Sequence, residues 1–460
     1  MRSVRCWLVI SLVLPLLLAA SCSPSPQSSQ LPPTVTPTPP PTDSLTLITS
    51  AQAFANLLIK GDFTQAEARF DTTMQQALPP GKLAEAWTSL LEQVGPFIEQ
   101  RGVRTEQSGV YSIAYVSCRF EKGSVDLKIV FNAAGQVSGF YFLPAEIVFT
   151  YQPPDYFKKD AYSERAVTVG SSPWQLPGTL SMPTGKGPFP AVALVHGSGP
   201  NDRDETVGAN KPFADLAGGL ASRGVAVLRY EKRTKQYPQQ MATLRNLTVR
   251  EETVDDAVAA VDLLRQTEGV DPKRIFVLGH SLGAMLLPRI ATFSPGIAGL
   301  IALAGPTRPL EDLFLEQTNY LVNLEGTLTP SSQAQLKELQ IQQAKIKDPT
   351  LALDYPELLL GAPASYWLDL RGYNAAEASL GLHLPMLILQ GERDYQVTME
   401  DFQGWKRALA GRRDVEYAGY PALNHLFIEG QGPSRPDEYQ QAGHIAPAVI
   451  EDIARWIGRH

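Results

Sequence analysis

The chain has 460 residues, long for one ordinary domain and comfortable for two or three. Its 44% hydrophobic and 19% charged content is that of a folded globular protein and excludes a largely disordered one. A net charge of −7, with no dense basic block, argues against nucleic acid as a partner.

In chain order, residues 1–22 read as an export signal. Arg2 and Arg5 form a positive start, the apolar run Trp7 to Leu18 is broken by Pro15, and small residues Ala19-Ala20-Ser21 precede Cys22. The apolar run is short for a bilayer span, so cleavage is expected in place of a permanent anchor. The placement of Cys22 resembles a bacterial lipoprotein signal, although Ala19 stands where such signals usually carry leucine. That resemblance implies lipidation at Cys22, an envelope location and membrane contact through the lipid alone; simple secretion is the alternative. Residues 23–43 hold eight prolines among Ser, Thr and Gln and have too few apolar residues to fold. At about 3.1 Å per residue such a linker reaches roughly 65 Å.

Residues 44–150 read as a small α+β domain. Ala51–Lys60 and Leu83–Val94 carry apolar residues at helical spacing. Strand-like runs follow at Gly109–Phe120, Ser124–Phe131 and Gln136–Phe142, joined by hairpin turns at 121–123 and 132–135. The stretch holds no histidine and no catalytic constellation. It is similar, loosely, to the cystatin-like or NTF2-like domain that precedes some bacterial hydrolases, which assigns it no activity. Cys118 is the one cysteine left after Cys6 and Cys22; a lone thiol makes no internal disulfide or metal site and is expected to fill a strand.

From 151 to 460 strands alternate with helices. Ala191–Val195, Val225–Tyr230, Arg274–Leu278, Ala298–Ala304 and Met386–Leu389 are short apolar runs suited to central parallel strands. Helical patterns at Pro212–Ser222, Val249–Leu264 and Leu282–Phe293 lie between them, so a doubly wound α/β sheet is expected. The gap between Ala304 and Met386 is far longer than a crossover needs. Its helical stretches, Leu310–Leu324 and Ser332–Ile346, predict a helical cap over about 306–380.

Four stretches carry chemistry. Gly279-His-Ser-Leu-Gly283 follows a strand and opens a helix, the setting a nucleophile elbow needs to expose Ser281 above the sheet. Acyl transfer also needs two backbone N–H donors for the developing oxyanion. Leu282, next after the serine, supplies one; the loop His196-Gly-Ser-Gly199 supplies the other, with Ser198 preferred to Gly199 because it follows the His-Gly pair directly. An acid just past a buried strand can orient a histidine, which points to Asp394, with Glu392 as the alternative. Among six histidines, His425 is the expected base and His444 the runner-up. The order Ser281, Asp394, His425 is that of an α/β-hydrolase.

Taken with Leu228-Arg-Tyr-Glu-Lys-Arg233, Gly391-Glu-Arg-Asp-Tyr-Gln-Val397 and Leu423-Asn-His425, these motifs resemble bacterial carboxylesterases of the α/β-hydrolase superfamily that carry an extra N-terminal domain. The likeness spans roughly 165–460. It implies Ser281 as nucleophile, His425 as base, Asp394 as orienting acid and hydrolysis of a small-molecule carboxylic ester, with no metal or organic cofactor. Two residues depart from the pattern: Ala284 where glycine is common, and Glu231 where relatives often carry Asp. The cluster Asp202-Arg203-Asp204 is expected to stabilise its loop more than to shape the site. Peptidase or thioesterase chemistry on the same triad, or a non-catalytic surface lipoprotein, are the rival readings.

Overall fold

The computed structural model describes residues 44–145 and 151–460, apart from residues 122, 325 and 327. The expected signal, linker and Cys22 lie outside the described residues, as does the stretch around residue 150. Two compact units divide at residues 148 and 149.

In the first unit, helices Ser44–Ile59 and Lys82–Val94 pack on a four-stranded antiparallel meander, β1 (Phe97–Ser108), β2 (Tyr111–Phe120), β3 (Gly123–Phe131) and β4 (Val137–Pro144). The β2–β3 and β3–β4 hairpins turn where the sequence predicts. β1 was not expected, because its polar run Glu99-Gln-Arg-Gly-Val-Arg-Thr-Glu-Gln107 has no buried alternation to betray it. The core joins Phe54, Leu58 and Trp87 of the helices to Phe120 and Leu127 of the sheet. Cys118 is buried there and burial pushes its thiol up to about 12, so it is inert filling.

The second unit is built on an eight-stranded sheet. Its strands are β5 (Tyr162–Val169), β6 (Leu176–Pro183), β7 (Phe189–Val195), β8 (Ala226–Tyr230), β9 (Val270–His280), β10 (Gly299–Leu303), β11 (Met386–Gly391) and β12 (Val415–Tyr420), in the order β12-β11-β10-β9-β7-β8-β6-β5. From β8 to β12 every pairing is parallel, while β6 and β5 are antiparallel additions at one edge. The central strands are apolar on both faces because both are covered. Along β9, Ile275 and Val277 enter one core while Phe276 and Leu278 enter the other. Helices Pro212–Ala221 and Pro447–Arg459 cover the second face; Asp255–Arg265 and Met399–Ala408 cover the first.

Two predicted helices are interrupted. Val249–Leu264 begins as a π-helical turn, Arg250–Val254, before the α-helix Asp255–Arg265. The stretch Leu282–Phe293 breaks at Leu286, since Pro288 has no N–H for the carbonyl one turn back. The long insertion between β10 and β11 is helical: Leu310–Leu324, Pro330–Lys347 and Ala364–Leu370 are its main pieces.

Candidate active site

The carboxyl ends of the parallel strands bring the predicted residues together, which is where open α/β sheets hold their ligands. Ser281 follows β9, the His196–Gly199 loop follows β7, Asp394 follows β11 and His425 follows β12.

Ser281 adopts φ +53° and ψ −117°. A left-handed backbone on a non-glycine residue costs about 1–3 kcal/mol and persists only where its surroundings over-determine it. Those surroundings are glycine. A Cβ on Gly279 would lie 2.3 Å from the Gly283 carbonyl carbon, and one on Gly283 would lie 2.2 Å from Val195 O. The Ser281 N–H donates to Leu303 O at 2.9 Å, tying the turn to β10. Ala284 is fully buried, and its Cβ lies where a side chain at Gly305 would have to sit, 3.0 Å away.

His425 Nδ1 donates to Asp394 Oδ2 at 2.6 Å, and both side chains are buried. The other Asp394 oxygen accepts from the N–H groups of Gln396 at 2.7 Å and Val397 at 3.0 Å. Gln390 Nε2 adds a bond to Oδ2 at 3.2 Å. Glu392 is exposed and stands apart from this pair. His444 contacts Asp215 at 3.1 Å, away from His425, and His383 is exposed. Ser281, His425 and Ser198 line one cavity of about 160 Å³.

A buried pair that the sequence did not reveal joins three loops. Glu205, 3% exposed, accepts the Gly197 N–H at 2.6 Å, and its second oxygen lies 2.9 Å from His280 Nδ1. His280 Nε2 donates to the His425 carbonyl at 3.0 Å. With an acceptor beside each ring nitrogen, the imidazolium is the form that satisfies both. Burial draws the His280 pKa down, but the Glu205 charge and these two contacts outweigh it, and the net shift is upward. Burial likewise works to raise Glu205, and His280 reverses the sign to leave it lowered. His196 differs: its Nε2 donates to Asp202 O at 3.0 Å, and burial holds it neutral, pushed down to about 4.

The charged cluster behind the loop is consumed within the fold. Arg203 pairs with Glu231 at 2.7 Å and donates to Thr179 at 3.0 Å; Asp204 pairs with Lys211 at 2.9 Å and with Arg229. Glu231 therefore serves the loop, and Asp202 caps it by accepting the N–H groups of Asp204 and Thr206.

The roof of the cavity comes from helix Leu310–Leu324, through Leu310, Leu313, Phe314 and Gln317. That helix is fastened to the turn carrying Asp394. Gln317 Nε2 donates to Gln396 O at 2.9 Å, and the Tyr320 ring stacks on Tyr395 at 4.9 Å with 7° between planes. The Tyr320 hydroxyl donates to Ser434 O at 3.0 Å.

Comparison with known proteins places the chain in a family. Residues 190–430 match the family described as serine aminopeptidase, S33, and residues 51–140 match one described as a protein of unknown function, DUF3887. Esterase EstD of Thermotoga maritima is 39% identical over 404 residues, covering 88% of this chain and 93% of that protein. Among solved structures, Est1E from Butyrivibrio proteoclasticus aligns with a TM-score of 0.40 at 16% identity, over 64% of this chain and 99% of its own. An esterase domain from a Rhodothermus marinus protein gives 0.38 at 16%, over 65% and 98%.

Proposed function

The chain belongs to the serine aminopeptidase S33 family of α/β-hydrolases, and we propose that within it the enzyme is a serine esterase whose nucleophile elbow carries Ser281. One observation supports this above the others: a buried His425–Asp394 pair at 2.6 Å opens on the same cavity as a serine held at positive φ.

In this reading Asp394 holds the Nδ1–H tautomer, which leaves His425 Nε2 free to take the Ser281 proton as the hydroxyl attacks the ester carbonyl. The oxyanion is met by the N–H groups of Leu282 and Ser198. The Gly197 N–H cannot serve, since it is engaged by Glu205. His425 then protonates the departing alkoxide and activates water to release the acid.

The cavity favours an ester over a peptide with a free amino terminus. An α-ammonium needs an unpaired carboxylate, and among the described residues the one carboxylate lining the cavity, Glu205, is engaged by Gly197 and His280. Beyond the reacting groups, the lining mixes apolar residues such as Leu310, Leu313 and Phe314 with the uncharged polar side chains Asn201, Gln317 and Gln396. At about 160 Å³ the space is close to that of an apolar cavity known to hold benzene, about 150 Å³. That size suits a short acyl chain or a phenyl group.

The test is hydrolysis of p-nitrophenyl esters from acetate to laurate beside Ser281→Ala, which should lose about 10⁶-fold in kcat. Turnover that survives in the variant, or none in the folded wild type, would sink the esterase reading. The N-terminal sequence further supports export with lipidation at Cys22. Cys22→Ser should then move the protein from the membrane to the soluble fraction, and equal partitioning of both forms would refute anchoring.

A further inference from the structure

The run Leu228-Arg-Tyr-Glu-Lys-Arg233 plays no part in the chemistry above, yet it sets a buried lysine directly behind the oxyanion loop. Lys232 is 2% exposed and follows β8. Its Nζ donates to Gly197 O at 2.8 Å and lies 2.7 Å from Glu252 Oε1. The other Glu252 oxygen accepts the Tyr366 hydroxyl at 2.8 Å. Asn201 Nδ2 adds a second donor to Gly197 O at 3.1 Å.

The Gly197 carbonyl and the Ser198 N–H belong to one planar trans peptide and point in opposite directions. A cation that grips the oxygen from inside the fold therefore aims the N–H outward, on the side where Ser198 lines the cavity. The same charge draws electron density along the amide and makes the N–H a stronger donor. Burying an ammonium is costly unless it is paired, and Glu252 supplies the pair. Glu252 sits in the π-helical turn Arg250–Val254, the sort of local widening that often marks a functional position.

We infer that Lys232, held by Glu252, is a positioning residue that orients and polarises the Ser198 amide toward the oxyanion formed at Ser281. The inference rests on the esterase reading of that site. A purely structural ion pair makes a different prediction, because replacing a buried pair by neutral residues of similar volume is often harmless.

The experiment compares the full-length enzyme with Lys232→Met and with Lys232→Met/Glu252→Gln, in which no charge is left unpaired. Substrate is p-nitrophenyl acetate; inhibitors are phenylboronic acid, which forms a tetrahedral adduct on the serine, and butyrate as a ground-state ligand. In the double variant kcat should fall about 10- to 100-fold, with KM within about threefold, since the donor is weakened and not deleted. The boronate Ki should rise by the same factor while the butyrate Ki stays put and Tm matches wild type. A folded double variant whose kcat and boronate Ki remain near wild type overturns the inference, as does a fall in kcat with boronate affinity unmoved. If the single variant does not fold, the double variant decides. Should the wild type hydrolyse no ester, the esterase reading fails alone, and boronate affinity still scores Lys232.

Discussion

Replacing Asp394 by asparagine preserves the size of the side chain and changes which of its atoms can accept a hydrogen bond. The surroundings dictate how the amide must lie. One carboxylate oxygen accepts two backbone N–H groups, from Gln396 at 2.7 Å and Val397 at 3.0 Å. Turning the amide nitrogen toward them would orphan both buried donors at about 1–3 kcal/mol each. Keeping the oxygen there costs far less, because Gln390 Nε2, which loses its 3.2 Å bond, retains acceptors in Gly391 O and Val397 O at 3.1 and 2.8 Å. The amide N–H then faces His425 Nδ1, which must become an acceptor and carry its proton on Nε2, toward Ser281. A base in the wrong tautomer cannot take the serine proton. Loss of about 10⁴-fold in kcat is expected, equivalent to about 5.4 kcal/mol of barrier. The assay is kcat for p-nitrophenyl butyrate, with Tm measured alongside to establish that the fold is intact. A folded Asp394→Asn enzyme within about tenfold of wild type would refute the reasoning, and Glu392→Gln, altering an exposed side chain, should be silent.

Three further outcomes are expected. Gly283→Ala places a Cβ 2.2 Å from Val195 O and 2.8 Å from His196 O, backbone atoms that cannot yield cheaply; a loss of about 3 kcal/mol in urea unfolding should follow, and an unchanged midpoint would contradict the packing. The raised His280 pKa means that the stability from its pairing with Glu205 is complete below the ordinary histidine value of 6.5 and vanishes as pH climbs through the raised one. The stability gap between wild type and Glu205→Gln should accordingly shrink from pH 6 to pH 9, and a constant gap would count against an ionised pair. Phe314→Ala opens the roof, so kcat/KM for decanoate relative to butyrate should increase at least about tenfold; no change in chain-length preference would remove that helix from the acyl-binding wall.

What could be read in advance follows from where the physics is local. The central strands β7 to β11 announce themselves because both faces are buried, and the oxyanion loop, Ser281 and Asp394 sit at the ends of those same runs, whereas His425 follows the edge strand β12. Edge strands give no such signal: β5 is exposed over most of its length, and β12, Val415-Glu-Tyr-Ala-Gly-Tyr420, is mostly half-buried. The break at Leu286 was visible in Pro288, whose ring cannot join a continuous helix. Glu205 and Lys232 lie in charged runs flanked by charged or polar residues, so composition cannot tell which side chains turn inward. Only pairing across the fold, with His280 and Glu252, picks them out.

The fastening of helix Leu310–Leu324 to the Asp394 turn bears on redesign. In the proposed enzyme the helix that roofs the cavity is nailed to the turn that carries Asp394, so the specificity element and the reacting group share one support. Gln317 bonds to Gln396, whose own N–H holds Asp394, and Tyr320 lies flat on Tyr395 in the same turn. A transplanted roof that widened the chamber but omitted those two side chains would loosen the acid along with the walls, and selectivity would change only at the expense of rate. Libraries aimed at new substrates are therefore better directed at Leu313 and Phe314, one turn earlier, with Gln317 and Tyr320 left in place.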